Sequence, residues 1–329
     1  MSLPVNRSLL ARLRRALPDP YIVALLGMVA LASLLPVHGR GAIVFGHITD
    51  LAIALLFFLY GSRLAPRDVL DGMRDLRLHG LVLAFTYLVF PLLGLATRLL
   101  VPWLLTPQLY VGLMFLCVLP STVQSSIAFT SMARGNVSAA LCSASLSNLL
   151  GVLLTPLLVG LLLSQQGVQL AGHAIRDIAL QLLLPFALGQ LLRPYTTAFV
   201  TRNKRLLGLV DRGSILLVVY AAFSEGVVSG IWRTLDLRTL LLLFLMCALL
   251  LAIVLLLTTF VGRRLQLRVE DEIVLVFCGS KKSMASGLPM ASVLFPAALV
   301  GGVVLPLMLF HQMQLIVCAW LARRYAERS

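Results

Sequence analysis

The chain has 329 residues, of which 60% are hydrophobic and only 12% charged, with a formal net charge of +14 and a mean hydropathy of +0.98. A soluble domain carries about 25% charged residues, so a soluble globular fold is excluded, because too little polar sequence remains to coat one. Nucleic acid is excluded as a partner, since the basic residues sit in short flanks between apolar runs and form no patch.

In chain order, the basic stretch "MSLPVNRSLLARLRRALPDP" comes first, at residues 1–20. No small-x-small cleavage site follows it, so the next apolar run is predicted to stay as a membrane helix. Ten apolar segments succeed one another at 21–37, 43–60, 78–100, 109–132, 137–163, 177–193, 213–231, 239–261, 273–294 and 298–321. Barrel strands need about ten alternating residues. These runs are longer and apolar all round, so each is predicted to be a helix spanning the bilayer. The longest polar connections, "GSRLAPRDVLDGMRDLRLHG" and "RPYTTAFVTRNKRLLGLVDRG", are too short for a domain and have room for a short interfacial helix.

Arginine and lysine number 27. With ten spans, 20 of them fall on the side of the two termini, five on the other, and Lys281 and Lys282 inside the ninth segment. That asymmetry predicts cytoplasmic termini in a multi-pass plasma-membrane protein, the inner membrane if the source is bacterial. The five cysteines all lie in apolar runs without CxxC or Cys/His spacing. They are expected to be small buried thiols, not a zinc site or a disulfide framework.

The halves echo each other. "DPYIVALLGMVALASLLP" from Asp19 and "DIALQLLLPFALGQLLRP" from Asp177 keep one offset at both ends. The most polar membrane stretches, "PSTVQSSIAFTSMARGN" and "GSKKSMASGLPMAS", fall on the fourth segment of each half. Five helices is an odd number, so the second half enters the membrane inverted, a recurring transporter construction with an interrupted helix in each repeat. The expected organisation is a first repeat at 21–163, an extracytoplasmic connection at 164–176, a second repeat at 177–322 and a cytoplasmic tail at 323–329.

Two adjacent lysines inside a membrane segment demand an account. A charge at the bilayer centre costs at least about 2.5–3.5 kcal/mol. The pair must face a polar cavity, hold a counter-ion or give up a proton. A desolvated lysine can release and regain a proton, which an arginine cannot. Alternatively, the lysines lock a helix crossing through backbone carbonyls. Glu225 is the one acid well within a predicted span and could neutralise a lysine or join a proton path. His47 and Asp50 are expected at the outer interface.

The stretches "LPSTVQSSIAFTSMARGN" and "FCGSKKSMASGLPMASVLFP", with the ten-segment arrangement, resemble the bile acid:sodium symporter superfamily. The closer match is to its bile-acid-symporter-like branch, which includes solute carrier family 10 member 7. Ala133-Arg134-Gly135-Asn136 and Ser280-Lys281-Lys282-Ser283 carry the resemblance most specifically. It implies an all-α membrane fold of two inverted five-helix repeats, a panel domain and a core domain, with the unwound fourth and ninth helices crossing in the core. It also implies ion ligands at Gln124, Ser125 and Ser126 and at Ser143, Ser145, Ser147 and Asn148 on the fifth helix; Ser121, Thr122 and Ser286 in the same polar stretches are further candidate ion- or substrate-binding residues. If sodium binds, Gln124, Ser126, Ser145 and Asn148 are its candidate ligands. The sodium symporters place a glutamate before the ninth-helix Ser-Gly. Here Ser280, Lys281, Lys282 and Ser283 precede Ser286-Gly287 and no acid is present.

The expected function is therefore secondary transport of a small organic anion by alternating access. One lysine would replace sodium and the other would face the anion, with proton coupling or uniport in place of sodium symport. The alternative is a membrane regulator or scaffold that keeps the fold. The chain has no HExxH, GxSxG or P-loop, so an enzyme is not expected. Nor is any cofactor beyond sodium or a proton as coupling ion.

Overall fold

The computed structural model describes residues 20–63, 75–101, 103–163, 178–228, 230 and 236–327. The basic stretch before Pro20 and the 164–176 connection, both singled out in the sequence, lie outside the described residues, as do Asp177 of the echoed motif and the last two residues of the tail. Among the described residues all regular structure is helical.

The helices are α1 (Pro20–Leu34), α2 (Arg40–Arg63), α3 (Leu76–Leu100), α4 (Pro107–Val118), α5 (Gln124–Met132) and α6 (Val137–Leu163). After these come α7 (Leu184–Leu191, reached through a π-helical stretch at Ile178–Leu183), α8 (Arg193–Arg202), α9 (Lys204–Val228) and α10 (Leu237–Arg264). The chain ends with α11 (Val269–Gly279), α12 (Met284–Leu294) and α13 (Ala297–Ala326). The predicted fourth segment is α4 and α5 with a break between them, and the predicted ninth is α11 and α12 with another. The fifth, α6, has the predicted bounds. Two boundaries are corrected: α9 starts at Lys204 instead of 213, and α13 runs on to Ala326. The short helix for which the second long connection had room is α8.

Local chemistry sets the ends. Thr106 caps α4 by accepting from the Leu109 N–H, with Pro107 in the first turn, where a missing N–H costs nothing. Asp75 and Asp236 cap α3 and α10 in the same way. Glu270, Asp271 and Glu272 fill the first turn of α11, where acids suit the positive helix end. Inside α3 the Phe90 N–H bonds to Phe85 O, one residue further back than in an α-helix. The next residue, Pro91, has no N–H at all. The Thr86 carbonyl thus loses both helical donors.

Six helices, α2, α3, α6, α9, α10 and α13, are long and apolar enough to cross a membrane. Their outer faces carry exposed Leu51, Leu153, Leu256, Phe260 and Ile316, which is a lipid-facing surface on a multi-pass membrane protein. Two groups of helices pack together. In one, α2 lies along α7 and α9, and α9 lies along α1 while its other side packs against α12 and α13 of the second group. There α2 and α7 approach so closely that a Cβ on Gly61 would lie 2.1 Å from Phe186 O, and one on Gly189 2.1 Å from Phe58 O. Arg63 and Asp211 pair across α2 and α9 in the same group. In the other, α3–α6 and α10–α13 surround the two breaks, and α13 packs along α4. All five cysteines are buried thiols.

Candidate functional site

The two breaks, at 119–123 and 280–283, meet and satisfy each other's backbone. Unwinding strips carbonyls and N–H groups of helical partners, and inside a membrane each must find another. Five consecutive carbonyls of the first break do so. Cys117 O and Leu119 O both accept from the Lys282 ammonium at 2.8 Å. Val118 O accepts from Thr155 Oγ1 at 2.8 Å, Pro120 O from the Ser283 N–H at 2.8 Å, and Ser121 O from Asn148 Nδ2 at 2.6 Å. The Ser121 N–H donates to Ser147 Oγ at 3.0 Å. The second break is served from the first. Ser121 Oγ donates to Cys278 O at 2.6 Å and Ser126 Oγ to Phe277 O at 3.1 Å. The Gln314 amide on α13 clamps Lys282 on both sides: Oε1 accepts its backbone N–H and Nε2 donates to its carbonyl, each at 3.0 Å.

Both lysine side chains are 0% exposed. Because the segment is unwound, they point to different neighbours. Lys282 Nζ donates to Thr86 O at 2.8 Å as well as to Cys117 O and Leu119 O. All three N–H donors of the ammonium are thus used. Its charge lies 4.1 Å from the Phe90 ring centroid, over the face. Thr86 O is the carbonyl that the π-helical turn and Pro91 leave without a helical donor. Lys281 Nζ donates to Ser125 O at 2.9 Å and sits 3.8 Å from the Phe129 centroid. Among the described residues the ion pairs are Arg63–Asp211, Arg263–Glu272 and Arg268–Glu270, and none includes either lysine. Glu225 is half-buried near the end of α9, outside these ion pairs. In this conformation both ammonium groups are held by carbonyls and rings.

Most of the sequence-predicted residues converge here. Ser121, Ser126, Ser147, Asn148, Ser280, Lys281, Lys282, Ser283 and Ser286 all join the crossing. Ser286 Oγ donates to Asn148 Oδ1 at 2.8 Å, and Ser283 caps α12 by accepting from the Ser286 N–H. Ser280 Oγ turns back to Val276 O. Thr122 and Ser125 bond each other at 2.7 Å beside Ser126. Ser143 is buried and shares a 2.7 Å hydrogen bond with buried His79. Gln124 is exposed on the first turn of α5 and Ser145 is half-buried. Of the four residues offered for sodium, Ser126 and Asn148 already spend donors on backbone carbonyls. Among the described residues no group of three His, Cys, Asp or Glu side chains is placed to hold a metal ion.

Sequence reasoning missed Thr86, Phe90, Thr155 and Gln314. Gln314 carried a signal, as part of the polar "HQMQ" inside the tenth apolar segment. Glu272 was left just outside the ninth segment, yet it is buried and accepts from Tyr325 Oη at 2.8 Å.

The sequence is similar to known proteins along nearly its whole length. An uncharacterized Pseudomonas aeruginosa protein, PA2026, is 56% identical over 315 residues, covering 95% of each chain. Escherichia coli (strain K12) YfeH, provisionally named a symporter, is 50% identical and covers 94% of each. Sodium/bile acid cotransporter 7 of Xenopus tropicalis is 26% identical, covering 94% of this chain and 91% of its own. A family described as SBF-like CPA transporters matches residues 19–327. That is a family of transporters, not of enzymes, and the match takes in both breaks, both lysines and every helix α1–α13. The chain belongs to the SBF-like CPA transporter family.

Proposed function

We propose that the protein is a secondary transporter that moves a small organic anion across the membrane by alternating access. In this reading Lys282 is a built-in cation that makes free sodium unnecessary at the crossing. One observation carries it: the Lys282 ammonium fills a cage of three backbone carbonyls, Thr86, Cys117 and Leu119, and among the described residues no carboxylate pairs with it. Carbonyl cages of this kind hold bare cations in channels and transporters. Here the cation is tethered to the chain.

Two ammonium groups without a counter-ion leave net positive charge in a low-dielectric region, and a mobile anion balances it. Lys281, bonded to one carbonyl, keeps donor capacity for that anion, whereas Lys282 has none left. Exchange of a proton at Lys281 would couple transport to pH, and without such exchange the protein would be a uniporter. Two of the relatives are named a cotransporter and, provisionally, a symporter, in keeping with a coupled mechanism. We read the helices as ten spans in two inverted five-helix repeats, with both termini cytoplasmic. The group α1, α2, α7 and α9 is then the panel, and α3–α6 with α10–α13 the core. The placement of one break in each half supports this.

The experiment is uptake of a panel of radiolabelled organic anions into proteoliposomes, with sodium and pH gradients imposed separately. Uptake of an anion that is indifferent to sodium is expected. Absolute dependence on sodium removes the tethered-cation reading, and failure to move any anion in the panel counts against the substrate class.

A further inference from the structure

Tyr60 stands on α2, one turn before Arg63. Its ring packs edge-on against Phe57, with centroids 5.6 Å apart. Its hydroxyl donates to the carbonyl of Ala285 at 3.4 Å. Ala285 lies in the first turn of α12, immediately after the second break. The bond therefore joins the α2 group to the group that holds the crossing.

The Ala285 carbonyl needs an outside donor for a definite reason. Its helical partner would be the N–H of the residue four positions on, and that residue is Pro289. Tyr60 fills the gap that the proline leaves. A second acceptor is also at hand. Asp211 on α9 uses Oδ2 to pair with Arg63, while its Oδ1 is buried and has no hydrogen-bond partner among the described residues. Asp211 lies on α9, which packs along α2, and its partner Arg63 is one turn from Tyr60 on α2 itself. A carboxylate oxygen is the stronger acceptor, since hydrogen bonds to charged groups are about twice as strong as neutral ones. The bond to Ala285 is long. The hydroxyl thus has a weak partner on α12, while a stronger acceptor on α9 stands unused among the described residues.

We propose that Tyr60 is a positioning residue of the transport cycle, a two-position latch. Its hydroxyl holds α12 through Ala285 in the conformation described and turns to Asp211 Oδ1 when the crossing group moves past α2 and α9. This rests on the alternating-access reading above. The latch sets the balance between the two arrangements and touches neither lysine.

The test uses the full-length protein in nanodiscs, with spin labels at Leu26→Cys on α1 and Leu256→Cys on α10, both exposed, and pulsed electron–electron distance measurement. Tyr60→Phe is expected to shift the population ratio of the two arrangements about five-fold, the worth of one hydrogen bond. Pro289→Ala gives Ala285 its own helical N–H, makes Tyr60 redundant and is expected to produce the same shift. The double variant adds nothing beyond either single one. In uptake assays both variants change the maximal rate and leave KM in place. Unchanged distances in Tyr60→Phe, or additive shifts in the double variant, overturn the latch. Should Tyr60→Phe not fold, Pro289→Ala decides alone, with an unchanged ratio as the overturning result. The distances are read without any substrate, so a latch that shifts as expected in a protein that moves no anion leaves the latch standing and removes the transport reading.

Discussion

The ammonium of Lys282 lies 2.8 Å from the carbonyl oxygen of Thr86, a group that the helix around it leaves without a donor. Phe90 gives its N–H to Phe85, and Pro91 has none to give. A defect in one helix and a charge from another thus cancel. The energetic balance follows from magnitudes. Burying an ammonium costs several kcal/mol, and three charge-assisted hydrogen bonds return roughly 1.5–3 kcal/mol each.

Replacing Lys282 with methionine keeps the volume but orphans the three carbonyls. The expected loss is roughly 2–4 kcal/mol, since an unsatisfied buried group costs about 1–3 kcal/mol and removal of the buried charge offsets part of it. Thermal unfolding in detergent checks it. A variant as stable as the parent would show that the cage does not stabilise the fold.

Lys282→Ala leaves an oxygen-lined hole where the ammonium was. Sodium chloride is expected to raise its unfolding midpoint above that in choline chloride at equal ionic strength, because a ligand that binds only the folded state stabilises it. The parent, whose cage is filled, is expected to show no difference between the two salts.

Lys281→Gln separates the two lysines. Lys281 holds one carbonyl and two ring faces, so the variant should unfold within a few degrees of the parent. Anion uptake, or its pH dependence, should fall at least about ten-fold, equivalent to about 1.4 kcal/mol. Normal uptake with an unaltered pH profile would take Lys281 out of the transport path.

Gln314→Leu removes both bonds to the Lys282 backbone at once. Two buried peptide groups lose partners, at about 1–3 kcal/mol each. The loss should exceed that of Gln312→Leu on the same helix, compared by thermal unfolding of the two proteins.

Gly61→Ala and Gly189→Ala each place a methyl group 2.1 Å from a backbone carbonyl of the facing helix. Backbone cannot swing aside as a side chain does, so α2 and α7 must separate. A loss of about 1–3 kcal/mol is expected for each. Ala at Gly27 on α1, where nothing lies within 4 Å, is the matched control, and size-exclusion profiles with unfolding midpoints give the comparison.

The helices were legible because bilayer length and uniform apolarity are properties of the sequence itself, and α6 was found with its true bounds. The breaks were legible too, since Ser, Gly, Pro and Lys stand out against leucine. The way the breaks are satisfied was not. Thr86 and Lys282 are 196 residues apart in the chain, and nothing in "LAFTYLVFP" announces a spare carbonyl unless the register of one N–H is known. Gln124, singled out by residue type, stands exposed on the first turn of α5, an orientation that composition alone does not give. The start of α9 was misplaced because "KRLLGLVDRG" is polar by composition, although Asp211 is half-hidden in an ion pair with Arg63.

Five successive carbonyls between Cys117 and Ser121 depend on donors that lie later in the chain, and three of those five on Lys282 and Ser283. A ribosome delivers those two residues long after the first break has left the exit tunnel. Until then the nascent amino-terminal portion holds bare peptide oxygens at bilayer depth, so it must wait in a sheltered place, beside an insertase or a chaperone. Co-expressed fragments cut near residue 170 should therefore rescue each other, whereas the leading fragment made by itself should be degraded.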